Sequence, residues 1–217
     1  MTAKEMPLSC GAWRCEYEPI RREVANPRLA GDVDAFETAT PRWGMRFSIE
    51  HPTNAQLQEW RAWLLSLRGG QGTFLAWDYK SPVPRAYMGD ASSPAPFAST
   101  QITAINAANR TISISGYAAN GVLTAGDPIS WFDGRNWVRV VATTTMTADG
   151  SGVISDIPVE PALQAHPGVS GYALPIDARL RYACCEMRIN PDSISIPSDY
   201  TQGGTISFDA YQIVRRS

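Results

Sequence analysis

A single stretch of the chain has the periodicity of an amphipathic helix, and this limits the architectures that the rest can build. Its apolar side chains recur at helical spacing and would share one face. They are Leu57, Trp60, Trp63, Leu64 and Leu67. Thr53 or Asn54 can cap the first amides, and Gly69-Gly70 provides a C-terminal stop. The pattern predicts a helix over residues 54–68 that lies on a sheet, with Trp60 and Trp63 in the core.

Most other segments have the alternation and the turn punctuation of short strands. Residues 205–214 are the clearest case, because Ile206, Phe208 and Ala210 alternate with polar neighbours. The predicted strands are residues 42–49, 72–78, 101–105, 110–114, 127–132, 136–142, 153–157, 172–176, 179–189 and 205–214. The expected fold is therefore mainly β. It has a β-sandwich or split-barrel-like core domain with one packed α-helix, and an inserted small antiparallel β-barrel, OB-like or similar.

The spacing of turn signals suggests where the inserted unit lies. Residues 92–96, Ser-Ser-Pro-Ala-Pro, have the composition of a linker. Beyond them turns recur at short intervals, including Asn120-Gly121, the tight hairpin signal Asp133-Gly134 and residues 149–152. We expect residues 95–165 to form the small barrel. Residues 1–94 and 166–217 would form the β-rich core domain.

Charge and composition narrow the classes of partner. The net charge is −2 in 217 residues, which argues against a dedicated nucleic-acid binder. No apolar run is long enough for a membrane span, and the N-terminus lacks the apolar core of a signal peptide, so we expect a soluble protein made inside the cell. Only 18% of residues are charged, which suggests that other subunits cover part of the surface. Arginine greatly outnumbers lysine, as at protein interfaces or in the proteins of a GC-rich genome.

The residues most often used in catalysis and metal binding show no convincing arrangement. The four cysteines are Cys10, Cys15, Cys184 and Cys185. Cys184 and Cys185 are neighbours on a predicted strand and would point to opposite faces, so a shared metal is disfavoured. We expect free thiols that are at least partly buried, and no metal or cofactor. Since no oriented histidine or nucleophile motif occurs, we expect no enzymatic activity.

Three aromatic residues flank the predicted Asp133-Gly134 hairpin turn. Trp131, Phe132 and Trp137 could contact a glycan or a protein partner, because aromatic rings near a hairpin tip can stack on sugars. Core packing is the favoured interpretation for Trp131 and Trp137. Phe132 should lie on the opposite face, at the surface or in a subunit contact.

Several motifs in order resemble tail proteins of long-tailed bacteriophages. They are Ala125-Gly-Asp-Pro-Ile-Ser-Trp131, Val138-Arg-Val-Val141, residues 148–158 with an Ala-Asp-x-x-Gly turn and an Ile-x-Pro strand, and Glu160-Pro-Ala-Leu163. The stretch from Leu57 to Asp78 is similar to the helix–turn–strand of such proteins. Together these motifs cover about half of the chain.

The resemblance implies a distal tail protein, a structural virion component without catalytic residues. Such proteins form a ring, usually a hexamer, that joins the tail tube to the baseplate or tip hub. The expected partners are therefore copies of the chain itself, the tail tube protein and the hub protein, and the expected location is the tail tip of the virion. In this family a second β-domain projects outward and can bind carbohydrate.

One alternative function remains open from the residues themselves. Residues 100–160 could form a carbohydrate-binding module that recognises a cell-surface glycan, with Trp131 or Phe132 as a platform. A tail-tip protein can also carry such a module, so the two functions are compatible. A cell-wall hydrolase is the least favoured reading.

Overall fold

The computed structural model describes residues 3–7, 12–27, 33–81, 84–87, 100–133, 136–161, 172–173, 182–197 and 204–214. The strands and the helix are, in chain order, β1 (Lys4–Glu5), β2 (Ala12–Pro27), β3 (Val33–Glu50), α1 (Asn54–Ser66), β4 (Phe74–Trp77), β5 (Gln101–Asn106), β6 (Thr111–Ser115), β7 (Val122–Leu123), β8 (Pro128–Phe132), β9 (Trp137–Ala142), β10 (Met146–Thr147), β11 (Ile154–Glu160), β12 (Tyr172–Ala173), β13 (Cys184–Ile189) and β14 (Thr205–Gln212). Short 3-10 helices span Arg85–Tyr87 and Pro191–Ser193. The prediction of a mainly β chain with one packed helix is confirmed.

The first sheet combines strands from both ends of the described chain. Its order is β1-β4-β13-β14-β3-β2, and all neighbours are antiparallel except β1 and β4. Helix α1 covers one face, where Trp60 stacks on Phe47 with ring centroids 5.1 Å apart. Trp63 donates from Nε1 to the carbonyl of Glu5 at 2.7 Å. The indole therefore ties the helix to the strand at the sheet edge.

Helix α1 begins at its predicted first residue, and local signals act at both of its ends. The Thr53 hydroxyl accepts from the amide of Gln56 at 3.3 Å, and the Gln56 side chain accepts from the amide of Thr53 at 2.9 Å. These two bonds form a capping box. Arg68 and Gly69 have positive φ angles of 52° and 61°, which ends the helix. The helix stops at Ser66, two residues before the predicted end.

The second sheet is built from residues between β4 and β13. Its order is β12-β5-β6-β11-β9-β8, and β7 pairs with β10 in a separate two-stranded ladder. The edge strands β12 and β8 approach within 8 Å between Cα atoms, but no hydrogen-bonded ladder joins them in the described residues. Closure into a barrel therefore stays a prediction.

The position of β12 differs from the sequence-based division of the chain. Residues 172–176 were expected to resume the core domain that residues 166–217 complete. In the structure Tyr172 pairs with Ile102 and Ala173 pairs with Gln101, both on β5. The second sheet thus extends past the predicted boundary at residue 165. The predicted linker, residues 92–96, lies outside the described residues.

The long hairpin formed by β2 and β3 was not predicted beyond residues 42–49. Its ladder runs from Ala12 opposite Glu50 to Pro27 opposite Val33. Strand β14 pairs with β3 only from Gly44 to Glu50, so the distal part of the hairpin extends beyond the sheet. Strands are predicted from the alternation of apolar and polar residues, which arises when one face of a sheet is buried. A two-stranded extension lacks a third strand that would help to bury one of its faces. We call residues 20–27 and 33–42 the hairpin arm.

Candidate functional site

Trp131 lies in the core of the second sheet. Its side chain has 0% exposure and packs with the aliphatic residues of that core. The indole nitrogen finds no hydrogen-bond partner among the described residues, although a buried indole N–H usually has one. An indole without exposed surface offers no platform to a glycan in this conformation. Core packing was the interpretation that the sequence favoured for Trp131.

Phe132 and Trp137 lie together on the other face of the same hairpin. They are register partners on β8 and β9, so their side chains share a face. Their ring centroids are 5.5 Å apart, with an interplanar angle of 46°. Phe132 is 41% exposed, whereas Trp137 is partly buried against the core of the first sheet. Trp137 therefore packs against the core of the first sheet and not, as predicted, in the same core as Trp131.

The turn between these aromatics is held by its own polar groups. The amide of Asp133 donates to the carbonyl of Asn136 at 3.0 Å. The amide of Asn136 donates to Asp133 Oδ1 at 2.6 Å. This bond from the backbone to the aspartate side chain stabilises the turn. It fixes the register that places Phe132 opposite Trp137.

A buried arginine at the junction between the two sheets was missed by the sequence analysis. Arg139 on β9 is 3% exposed. Its guanidinium carbon lies 4.5 Å from the ring centroid of Tyr17 and 5.2 Å from that of Trp43. Its Nη1 donates to the carbonyl of Ala183. Cation–π contacts of a desolvated arginine contribute about 2 kcal/mol, so this residue joins the sheets through specific contacts.

Backbone and side-chain bonds reinforce the same junction. Trp43 Nε1 donates to the carbonyl of Arg139 at 2.7 Å, and Gln212 Nε2 donates to the carbonyl of Trp137 at 3.2 Å. The amide of Cys184 donates to Ser130 Oγ at 3.0 Å. In the sequence, the burial of Arg139 is indicated only by its position between Val138 and Val140 on an apolar strand. Such a residue indicates a buried contact but not its partner.

Asp127 forms a further connection between the chain segments. It is 1% exposed, and its carboxylate accepts from the amide of Arg85 at 2.8 Å and from the amide of Thr124 at 2.7 Å. Both bonds come from backbone donors, so the carboxylate is used to hold the turn before β8. This aspartate is a structural residue in the present arrangement.

The described cysteines are free and buried. They are Cys15, Cys184 and Cys185, whereas Cys10 lies outside the described residues. Burial raises the pKa of Cys185 to about 12 and that of Cys15 to about 11. The Sγ of Cys185 lies 2.8 Å from the hydroxyl of Tyr17, whose pKa burial also raises well above its usual value. The thiols of Cys15 and Cys185 therefore stay protonated at neutral pH and are poor nucleophiles.

Comparison with known proteins adds no assignment. The scan against protein-family models found no match, and the search of curated proteins found none either. Within the described residues, no group of three or more His, Cys, Asp or Glu side chains could hold a metal ion. No helix in the described part of the chain is long and apolar enough to cross a membrane.

Proposed function

We propose that this chain is a structural protein of the tail tip of a long-tailed bacteriophage. In this proposal it forms a ring, of six copies in the usual family pattern, that connects the tail tube to the baseplate or hub and contributes to host adsorption. It carries out no catalytic step. The observation that carries the proposal is the hairpin arm, which extends beyond the sheet that supports it.

The arm has the geometry of an element that binds a neighbouring protein. Over residues 20–27 and 33–42, β2 and β3 pair with each other and with no other strand of the described part of the chain. A two-stranded hairpin alone is marginally stable in water, so it gains most by packing against another surface. Its root is anchored by an ion pair of Arg21 with Glu160 at 3.0 Å. We infer that the arm reaches the tail tube or the hub protein.

The free edge of β2 is protected against indiscriminate strand addition. β2 is the outermost strand of its sheet, and Pro19 and Pro27 interrupt its row of amide donors. Such protection suits a protein whose assembly must stop at a defined number of copies. The Arg139 junction supports the same function, because a ring subunit needs its two sheets at a fixed angle.

The proposal is tested by light scattering after size exclusion and by electron microscopy of the purified chain. We expect a closed ring, and binding to the tail tube or hub protein of the same virus. Replacing residues 23–38 with Asn-Gly joins the register partners Arg22 and Ala39 by a two-residue turn. This variant should form the ring but lose the tube and hub. A wild-type chain that stays monomeric and binds neither protein would refute the proposal.

A glycan-binding role is a second candidate, and the exposure of Phe132 favours it. A ring that is 41% exposed and braced by Trp137 could stack on one face of a sugar. Screening the chain on a glycan array tests this role. Phe132→Ala should abolish a positive signal and leave the thermal unfolding temperature nearly unchanged. Absence of any signal for the wild-type chain would count against this candidate.

A further inference from the structure

We propose that the exposed face of α1 in one copy seats in a groove on the opposite face of the first sheet in the next copy. The inference rests on the proposed ring and names the contact that builds it. The groove has a volume of about 280 Å³. Its lining includes Glu16, Glu18, Ile20, Gly44, Arg46 and Asp209. We call this set the outer groove.

The outer groove lies on the face that α1 does not cover. Phe47 and Phe208 are register partners that pack beneath the helix, with their rings near Trp60. Successive side chains on a strand point to opposite faces. Arg46 and Asp209, each adjacent to one of these phenylalanines and paired with each other, therefore point away from the helix.

Charged side chains cross the groove from strand to strand. Arg46 Nε lies 3.3 Å from Asp209, and Arg46 Nη1 lies 3.6 Å from Glu16. Arg14 also contacts Glu16, at 3.0 Å. Glu18 is exposed, and the described residues form no ion pair with it. The groove thus keeps one carboxylate available for an incoming cation.

The floor of the groove is apolar because residue 44 has no side chain. A Cβ at Gly44 would lie 2.6 Å from Ile20 Cδ1, so the glycine lets Ile20 lie across the sheet. Ile20 remains 52% exposed, and Tyr211, the register partner of Gly44, is 39% exposed. An apolar floor with a carboxylate beside it favours an apolar side chain flanked by a base.

Helix α1 presents that combination on its outer face. Leu65 is 72% exposed, the highest value among the large hydrophobic residues in the described part of the chain. Arg61 lies four residues before it, one turn away on the helix surface, and Arg68 follows just after the C-terminal end of the helix. Both arginines are exposed, and no described residue forms an ion pair with either.

The two complementary surfaces lie on opposite faces of one sheet, and this determines the type of assembly. A contact between different surfaces of identical chains is heterologous, so it leaves one free helix face and one free groove at the ends of any open chain. Such contacts close into a ring when the rotation permits. Closure gives every copy two contacts, which offsets the weakness of a single small one.

Variants of the helix face test the contact in the full-length chain. Leu65→Asp should abolish the ring and leave a folded monomer, because the side chain is already exposed and its loss creates no cavity. Arg61→Glu should also weaken ring assembly, because it places a carboxylate opposite Glu18. The double variant Arg61→Glu with Glu18→Arg should restore assembly, because the two charges are exchanged. Val122→Asp is the matched apolar control, since Val122 is 38% exposed on β7. Lys80→Glu is the charge control.

A mixing experiment separates a heterologous contact from a symmetric one. Chains with Leu65→Asp keep an intact groove, and chains with Glu18→Arg and Ile20→Asp keep an intact helix face. Sedimentation velocity of each variant alone should show a monomer. The equimolar mixture should form a one-to-one dimer that grows no further, because only one functional contact remains in each pair.

The outcomes distinguish this inference from the proposed function. A ring that persists in the Leu65→Asp chain overturns the helix–groove contact and leaves the ring proposal intact. Failure of the mixture to dimerise also overturns it. A wild-type chain that forms no ring at micromolar to millimolar concentration overturns the helix–groove contact, and it overturns the proposed function as well when the chain also binds neither the tail tube nor the hub protein.

Discussion

The two sheets are stabilised by cores of different chemistry. The core of the first sheet is rich in aromatic residues and is covered by α1. Its large aromatic members are Trp43, Phe47, Trp60, Trp63, Phe74, Trp77 and Phe208. The core of the second sheet is mostly aliphatic, with six isoleucines, and its aromatic members are Trp131 and Tyr117. No α-helix of the described residues packs on the second sheet.

The cores also differ in how far apart along the chain their residues lie. The second core draws on residues 102–159, with hairpin neighbours close in sequence. The first core combines residues 6–77 with residues 184–210. Contacts between distant residues cost more loop-closure entropy. The second sheet can therefore form locally, whereas the first needs residues from distant parts of the chain.

The largest effect should come from Trp60→Ala in the first core. Trp60 is fully buried and contacts Phe47, Trp63 and Phe208. Truncating a buried aromatic side chain lowers the free energy of unfolding by about 3–5 kcal/mol. Urea denaturation followed by circular dichroism measures this loss. Ile112→Ala truncates a buried side chain of the second core and serves as the comparison. Amide exchange should rise mainly in the second sheet for Ile112→Ala and mainly in the first sheet for Trp60→Ala. An equal rise of amide exchange in both sheets, in both variants, would contradict the separation of the two cores.

Arg139→Ala should have the next largest effect, because it removes the buried side-chain contacts at the junction between the two sheets. The hydrogen bond to the carbonyl of Ala183 and the contacts with Tyr17 and Trp43 are lost together. A hydrogen bond from a charged group contributes about 1.5–3 kcal/mol. Because removal of the buried guanidinium also removes its desolvation cost, we expect a net loss of about 2 kcal/mol and two separate unfolding transitions. Arg139→Lys should recover little, since an ammonium group does not stack as a guanidinium does. A single unchanged transition would contradict the coupling.

Alkaline pH should destabilise the first sheet through its buried thiols. Burial raises the folded-state pKa of Cys15 to about 11 and of Cys185 to about 12, from a reference of 9.0. The stabilisation is complete below pH 9.0 and is lost as pH rises toward these values, because only the unfolded chain then releases the protons. Each thiol should contribute about 1.4 kcal/mol per pH unit in this window. Denaturation at several pH values tests this, with Cys185→Ala reducing the slope.

The smallest effect should come from Thr53→Ala at the start of α1. The change removes the hydroxyl that accepts from the amide of Gln56. Loss of a helix N-cap typically costs about 1 kcal/mol. Faster amide exchange should be confined to the first turn of α1, and Thr53→Ser should restore it. Faster exchange in the second sheet would contradict the separation of the two regions.

The sequence predicted the parts of the fold whose signals are local. The helix was predicted from its apolar stripe, from Thr53 or Asn54 as its cap and from the Gly69-Gly70 stop. The β8–β9 hairpin was predicted from Asp133-Gly134 between two apolar strands, and Asp133 does hold that turn to Asn136. The same reasoning wrongly placed Trp137 in the core of Trp131. Alternation within one strand does not reveal which residues face each other across a hairpin.

The chain by itself determined a mainly β protein with one capped helix, since turn chemistry and side-chain periodicity act between near neighbours. Only the tertiary structure decided that β12 joins the second sheet, that Arg139 lies between Tyr17 and Trp43, and that β2 and β3 extend as an arm. These features depend on contacts between residues far apart in sequence. Their free energy comes from burial and pairing that exist only once both partners are in place.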